Sequence, residues 1–414
     1  MTEILATLRD PATIRLRCAA ITQAVADDRS GWFRLDRSRL DEVAERVAAL
    51  TRERFPDGRI PLHSRWRHFE AGGVDRRALL DASLAGVTTA ERARAYFDLV
   101  VVSVLLDAGA GPAWSWREGE GDGATRYSRS EGLGVASFRA FLAGAFAFDA
   151  AEPLRADAAA LRRLDAAALG AIFQVTPTNT MVGLDGRAAL LVRLGETLAA
   201  ESGRSGFESR PGLLYDQLVA GGRDAVTASE ILGLLLRVLA PVWTSGSSVA
   251  GQRAGDVWPH RFADASAPGG GIDRRTPGWL PLHKLSQWLA YSLIEPLQWC
   301  GVRVTGLDAL TGLPEYRNGG LLIDAGVVVP RDPRSLAMRW KPSDEFVIEW
   351  RALTVTLLDE VAERVRARLG QSAEQLPLAC VLEGGTWAAG RQIALERRAD
   401  GSPPVAIDSD GTIF

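Results

Sequence analysis

A mainly helical fold is predicted. Apolar residues recur at three- and four-residue spacing along most of the chain, capping residues precede several of those stretches, and extended patterning is confined to the C-terminal segment. With 414 residues the chain exceeds the roughly 250–300 at which single cores stop growing, so it is expected to divide. The expected parts are an N-terminal helical part over 1–240, a second helical part over 241–376, and a small antiparallel β element over 377–414 packed on the helices.

From Thr13 to Arg54 the spacing of Leu40, Val43, Val47 and Leu50 predicts an antiparallel helical pair, with Asp36 capping the second member. Residues 57–76 break that rhythm with glycine and proline and read as an ordered loop holding His63, Arg65, Trp66, Arg67, His68 and Glu70. Helix returns over 88–108 with a Thr88 to Glu91 start, ends in a glycine-rich stretch, and resumes near Ser130. Periodicity continues from Ala136 to Ala200 with a turn around Pro177 and Asp185-Gly186, and Ala228–Leu239, apolar nearly all round, is expected to be central.

Between Pro241 and Pro281 a long irregular stretch carries Trp243, Asp256, Trp258, His260 and Trp279, the pattern of a functional loop. The next helix, Pro281–Leu297, begins with proline where its missing amide costs nothing. Leu282, Leu285, Trp288, Leu289 and Leu293 form its core stripe. Lys284, Gln287, Tyr291 and Glu295 share another face, which is either solvent-exposed or lines a pocket. Past residue 376, IALERR and PVAI read as short strands between the turn signals Asp400-Gly401 and Asp410-Gly411.

Composition excludes several functions. Apolar residues make up 47% and charged residues 24%, an ordinary globular balance. The net charge of −3, from 48 basic and 51 acidic residues, offers no basic stripe for nucleic acid. The longest apolar run, Leu99–Leu106, falls far short of the roughly 20 residues a membrane span needs, and the first residues lack a signal-peptide core. Three scattered cysteines, Cys18, Cys300 and Cys380, suggest no disulfide framework and fit the cytoplasm. Four histidines without HxxxH or HExxH spacing predict no tightly bound transition metal, and no cofactor is expected. No P-loop, nucleophile elbow or dinucleotide-binding glycine pattern is present.

Several clusters carry chemistry. Glu315, Tyr316 and Arg317 meet in a turn closed by Gly319-Gly320, where an arginine beside a carboxylate either holds a substrate oxygen or forms a structural ion pair. His283 and Lys284 sit in the first turn of their helix, where the macrodipole disfavours cations unless something negative lies near. That negative group is either an anionic substrate or a protein carboxylate. In GDVWPHRF, Asp256 beside Trp258 suits the stabilisation of a developing cation, and also suits a loop cap. HSRWRHFE has either a phosphate-binding or a purely structural reading, and LEGGTWAAGR either cradles a ligand through Glu383 or turns a strand corner.

Taken together, HSRWRHFEAGG, SEGLGVAS, LPLHKLSQWLAYSLIEPL, LTGLPEYRNGGLLIDAGV and LEGGTWAAGR resemble the uracil-catabolism family found in fungi and bacteria, over essentially the whole chain. The resemblance implies a place in pyrimidine degradation through a ribosylated, ring-opened intermediate of the ribosylurea type. A more distant likeness adds chemistry. The order Lys284, Gln287, Leu310, Thr311, Glu315, Tyr316, Arg317 is similar to the queuosine-salvage nucleosidase family, helical proteins related in shape to DNA glycosylases that cut an N-glycosidic bond. The chain departs from that pattern where Glu315 replaces Asp and where Val242-Trp243-Thr244 replaces a Phe-Arg-Asp run.

The implied reaction is hydrolysis of ribosylurea, or its 5′-phosphate, to urea and ribose or ribose phosphate. Cleavage of a ribosyl C–N bond builds positive charge on the sugar, so a fixed carboxylate and an acid at the leaving nitrogen are required. Asp256 is expected to activate water or stabilise the cation. Glu315 is expected to bind ribose hydroxyls or protonate the leaving group. Lys284, His283 and Arg317 are expected to hold a phosphate or ribose oxygen, Trp258 or Tyr316 to wall the ureido plane, and Gln287 and Tyr291 to complete the pocket. The expected partner is a small ribosylated molecule. The rivals are a metal-free amidohydrolase acting on the opened ring and a non-catalytic protein that channels an intermediate.

Overall fold

The computed structural model describes residues 3–243, 246–263 and 278–408. In chain order its longer helices are α1 (Pro11–Ala26), α2 (Leu40–Arg54), α3 (Thr89–Leu105), α4 (Arg129–Leu142), α5 (Leu184–Ser205), α6 (Ala228–Val238), α7 (Lys284–Trp299), α8 (Tyr316–Asp324), α9 (Glu345–Leu369) and α10 (Trp387–Arg397). Strands among the described residues are two to four residues long and pair only in twos. The fold is mainly helical, as periodicity predicts. Among the described residues no helix is long and apolar enough to cross a membrane.

The chain forms two units, each assembled from separated segments. The first draws on Met1–His63, Gly246–Gln287 and Gly306–Asp408, the second on Ser64–Ser245 and Trp288–Thr305.

In the first unit α9 is the axis, with α1 and α2 packed along it. Its 25 residues bury Phe346, Ile348, Trp350, Leu353, Leu357 and Val361, and also two charged side chains, Glu349 and Arg351. A buried charge is tolerable only when paired and hydrogen-bonded. Arg351 meets Asp256, and Glu349 accepts from Ser30 and lies 3.4 Å from His260 Nε2. Helix α8 packs on both α9 and α10, and two glycines permit the approach. A Cβ at Gly319 would fall 2.7 Å from the Trp350 ring, and one at Gly390 would fall 2.3 Å from the Arg317 carbonyl oxygen.

In the second unit α3 is the buried element, packed by α4, α5 and the short helix Leu213–Leu218. Thr88 caps it by accepting from the Glu91 amide, as the Thr-x-x-Glu pattern predicts. Mid-helix Asp98 is fully buried, lies 2.6 Å from Arg210 and accepts from the Ala156 and Gly212 amides. Buried Arg187 donates to the carbonyls of Leu106, Ala108 and Gly109, acceptors at and just past the end of α3. Helix α6 opens with a full capping box from Thr227 and Glu230.

Three expectations require correction. The C-terminal segment is not an antiparallel β element. It continues as helix Leu378–Val381, a π-helical turn Leu382–Thr386 and α10, and its short strand Ala406–Ile407 pairs parallel with Arg339–Trp340. The reason lies in composition: WAAGRQIALER is dominated by helix formers, and its small residues lie where other elements press close. Helix α7 starts at Lys284, not Pro281, because Pro281 ends a strand paired with Val257 and His283 has φ +47°. The supposed loop 57–76 contains a helix, Arg65–Phe69, whose Arg65, Trp66 and Phe69 are buried. The strand turn expected at Asp410-Gly411 lies outside the described residues.

Candidate functional site

The candidate site is built from first-unit residues drawn from distant stretches of chain: His63, Asp256 and Trp258, His283 to Gln287, Thr311 to Asn318, Arg351, and Glu383 to Thr386. Lys284 begins α7, and its backbone amide donates to Asp256 Oδ2 at 2.9 Å. The negative group at that helix start is therefore a protein carboxylate, which satisfies both the unpaired amide and the macrodipole.

Asp256 is saturated. Arg351 grips it through two bonds of 2.7 Å each, the Trp258 indole donates at 2.6 Å, and the Lys284 amide takes a further lone pair. Burial on its own would raise the pKa of this carboxyl. The Arg351 charge and hydrogen bonds, with the Lys284 and Trp258 donors, overcome that and hold it at about 2. Asp256 is therefore ionised, neutralised and rigid.

Glu315 stands at the other helix start. It is the N-cap of α8, its two oxygens accepting from the Arg317 amide at 2.7 Å and the Asn318 amide at 2.6 Å. Burial raises its pKa, and the two capping bonds with the nearby Lys284 and His63 pull it back without cancelling the rise. Among the described groups acting on it no guanidinium appears, which is the electrostatic difference from Asp256.

The surrounding bonds fix Glu315 in place. Gln287 donates to Thr311 Oγ1 at 2.7 Å and accepts from its amide at 3.3 Å, tying α7 to the turn before Glu315. Asn318 donates to the Leu313 carbonyl and accepts from Thr386 of the π-helical turn at 2.9 Å. Gln287 is thus a brace within the fold.

The remaining predicted residues separate into groups. His283 is buried with Nε2 2.9 Å from the Leu8 carbonyl, and burial lowers its pKa, so it is a neutral donor to α1's preceding turn. Arg317 donates to the Gly401 carbonyl at 2.9 Å, with its guanidinium over the half-buried Tyr316 ring at 5.2 Å. Trp258 serves Asp256. In the second unit Tyr291 is fully buried, and Glu295 accepts from Ser64 at 2.6 Å and Arg67 at 2.9 Å, so that face of α7 is not solvent-exposed.

Sequence reading missed a pair. His63 Nδ1 lies 2.8 Å from Glu383 Oε2, and Arg54 holds the other Glu383 oxygen at 3.1 Å. His63 and Glu383 each stand inside a motif quoted above, HSRWRHFE and LEGGTWAAGR, yet no local signal joins residues 320 apart. Arg351, the partner of Asp256, was missed for a similar reason.

Comparison with known proteins adds the following. Residues 7–414 match the family described as "Protein of unknown function (DUF1688)". The chain is 38% identical over 422 residues to the Schizosaccharomyces pombe protein named "Protein urg3", covering 100% of both chains. It is 35% identical over 416 residues to "Uracil catabolism protein 4" of Lachancea kluyveri, covering 94% of this chain and 93% of that one.

Proposed function

This chain belongs to the DUF1688 family, and from that premise we propose that it acts in uracil catabolism as an N-ribosyl hydrolase, releasing urea from ribosylurea or its 5′-phosphate. The pathway half of the reading rests on the full-length relative named for uracil catabolism. The chemical half rests on one observation: two carboxyl groups that both adjoin Lys284 have pKa values pushed in opposite directions, Asp256 down to about 2 and Glu315 up. Such divergence separates a fixed anion, Asp256, from a candidate acid, Glu315.

Glu315, whose pKa burial raises, is the proton donor to the departing ureido nitrogen. A leaving amide nitrogen is a poor base, so proton delivery in the transition state is worth about 10²–10⁴ in rate. Asp256 contributes as a positioning residue, because its lone pairs are occupied by Arg351, Trp258 and Lys284. It sets the start of α7 and with it the Lys284 side chain, whose ammonium holds a ribose or phosphate oxygen. Tyr316, on the residue after Glu315, walls the ureido plane, and Arg317 supports that ring from above.

The test is incubation of purified protein with ribosylurea and, separately, its 5′-phosphate, following urea and reducing sugar. Equimolar urea and sugar are expected from one of the two. Binding with unchanged ligand after prolonged incubation identifies a channelling protein instead, and ammonia without free sugar identifies an amidohydrolase.

A further inference from the structure

The reading above supplies an acid for the leaving nitrogen and leaves the attacking water without a base. We infer that His63, oriented by Glu383, is that base, and that the π-helical turn Leu382–Thr386 exists to present the carboxylate. This inference rests on the N-ribosyl hydrolase reading.

The geometry carries it. The 2.8 Å bond joins His63 Nδ1 to a carboxylate oxygen, so Nδ1 is the donor and the neutral form of the ring has its lone pair on Nε2. Both side chains are largely shielded, 9% and 12% exposed, which strengthens the bond and excludes competing water. Arg54 holds the other Glu383 oxygen from the far side at 3.1 Å, and its guanidinium also donates to the Glu383 and Gly384 carbonyls. The His63 amide donates to the Ala379 carbonyl at 3.1 Å, anchoring the histidine to the helix that leads into the same turn.

The turn itself is costly and specific. A π-helical turn inserts an extra residue into a helix and is found mostly at functional sites. Here it is pressed on α2 so tightly that a Cβ at Gly384 would fall 2.9 Å from Thr51 Oγ1 and one at Gly385 would fall 2.5 Å from the Val47 carbonyl oxygen. Thr386 at its end donates to the Asn318 side chain, and the Asn318 backbone amide donates to the Glu315 cap. One short segment therefore registers the His63–Glu383 pair against the Glu315 acid. Once protonated, the His63 ring is near enough to act electrostatically on Glu315.

The step balances. Water's O–H bond breaks as its proton passes to His63 Nε2, and the water oxygen bonds to the anomeric carbon. The C–N bond breaks with its electron pair going to nitrogen, which takes the proton of Glu315. The products are ribose and urea, with His63 protonated and Glu315 ionised. Transfer of the His63 proton to Glu315 through solvent restores both.

Glu383 and Arg54 are positioning residues in this scheme, and the test must separate that role from simple support. His63→Gln is expected to lower kcat by about 100-fold or more with a smaller change in KM, and to abolish the acid limb of the kcat/KM profile against pH. Glu383→Gln is expected to lower kcat by about tenfold or more, with Glu383→Asp recovering part of the loss. Histidine labelled with ¹⁵N reports the tautomer independently of turnover: wild type is expected to show His63 protonated on Nδ1, and Glu383→Gln to shift that signal. Retention of wild-type kcat and pH profile in His63→Gln overturns the assignment. An Nε2-protonated His63 overturns it as well, and decides the matter even if ribosylurea is not turned over by wild type, the result that removes the hydrolase reading itself.

Discussion

Asp256 and Glu315 occupy equivalent positions, and their pKa values move in opposite directions. Each is a buried carboxylate set against the amides that open a helix, α7 for Asp256 and α8 for Glu315. One has a guanidinium in full bidentate contact that holds its pKa at about 2; the other is met by capping amides and by the charges of Lys284 and His63, and burial pushes its pKa up. A helix start therefore does not decide the charge of the acid that caps it. The counter-ion does. The fixed anchor is made by an arginine from α9, and the proposed proton donor has no such partner among the described groups acting on it.

The comparison is broken most directly by removing each acid in turn. Asp256→Asn leaves Arg351 buried beside a neutral amide, and a buried charge stripped of its partner costs about 3–5 kcal/mol. A large fall in the urea midpoint is expected. Glu315→Gln is expected to invert the pattern, costing about 1 kcal/mol through a weakened cap and lowering kcat by about 100-fold or more. Equal loss of stability in the two variants would remove the distinction between anchor and acid.

The pH dependence of stability sharpens the same contrast, because the two groups have opposite signs. Asp256 is depressed from 3.8 to about 2, so its contribution, about 2 kcal/mol, is fully present above pH 4 and is lost as pH falls through its folded value. Glu315 is raised from 4.5, so its contribution is present below that value and is lost as pH rises through the folded pKa. Urea denaturation across pH is expected to lose its acid limb in Asp256→Asn and its higher-pH decline in Glu315→Gln.

How much of this was legible in the sequence depends on distance along the chain. Local signals were readable at the Thr88 cap of α3 and the apolar run of α6, whereas the turn expected from Glu315 to Gly320 is the start of α8, with Glu315 its buried cap. Lys284 and Glu315 could be picked out by resemblance. What decides their chemistry could not. Arg351 is one of many arginines on a long helix, and only its fully buried contact with Asp256, 95 residues away, separates it from a surface charge. His63 and Glu383 each sat in a noticed motif without a reason to be paired. The C-terminal helix was misread because its glycines resemble turn residues, whereas at Gly384, Gly385 and Gly390 they answer neighbouring elements that leave no room for a Cβ.

The smallest expected effect tests how the Asp256 anchor is shared. Trp258→Phe deletes one of four donors to the carboxylate while Arg351 and the Lys284 amide stay in place. A hydrogen bond to a charged acceptor contributes about 1.5–3 kcal/mol, and the remaining bidentate contact is expected to absorb part of it, so a loss of about 1 kcal/mol should appear in denaturation. Turnover should change little, because the indole serves the anchor and not the acid. The other role assigned to Trp258, a wall for the ureido group, predicts a different signature: a raised KM at nearly unchanged stability. Measuring stability and KM on the same variant therefore separates the two, and a KM effect without a stability effect would move Trp258 from the Asp256 anchor to the ligand.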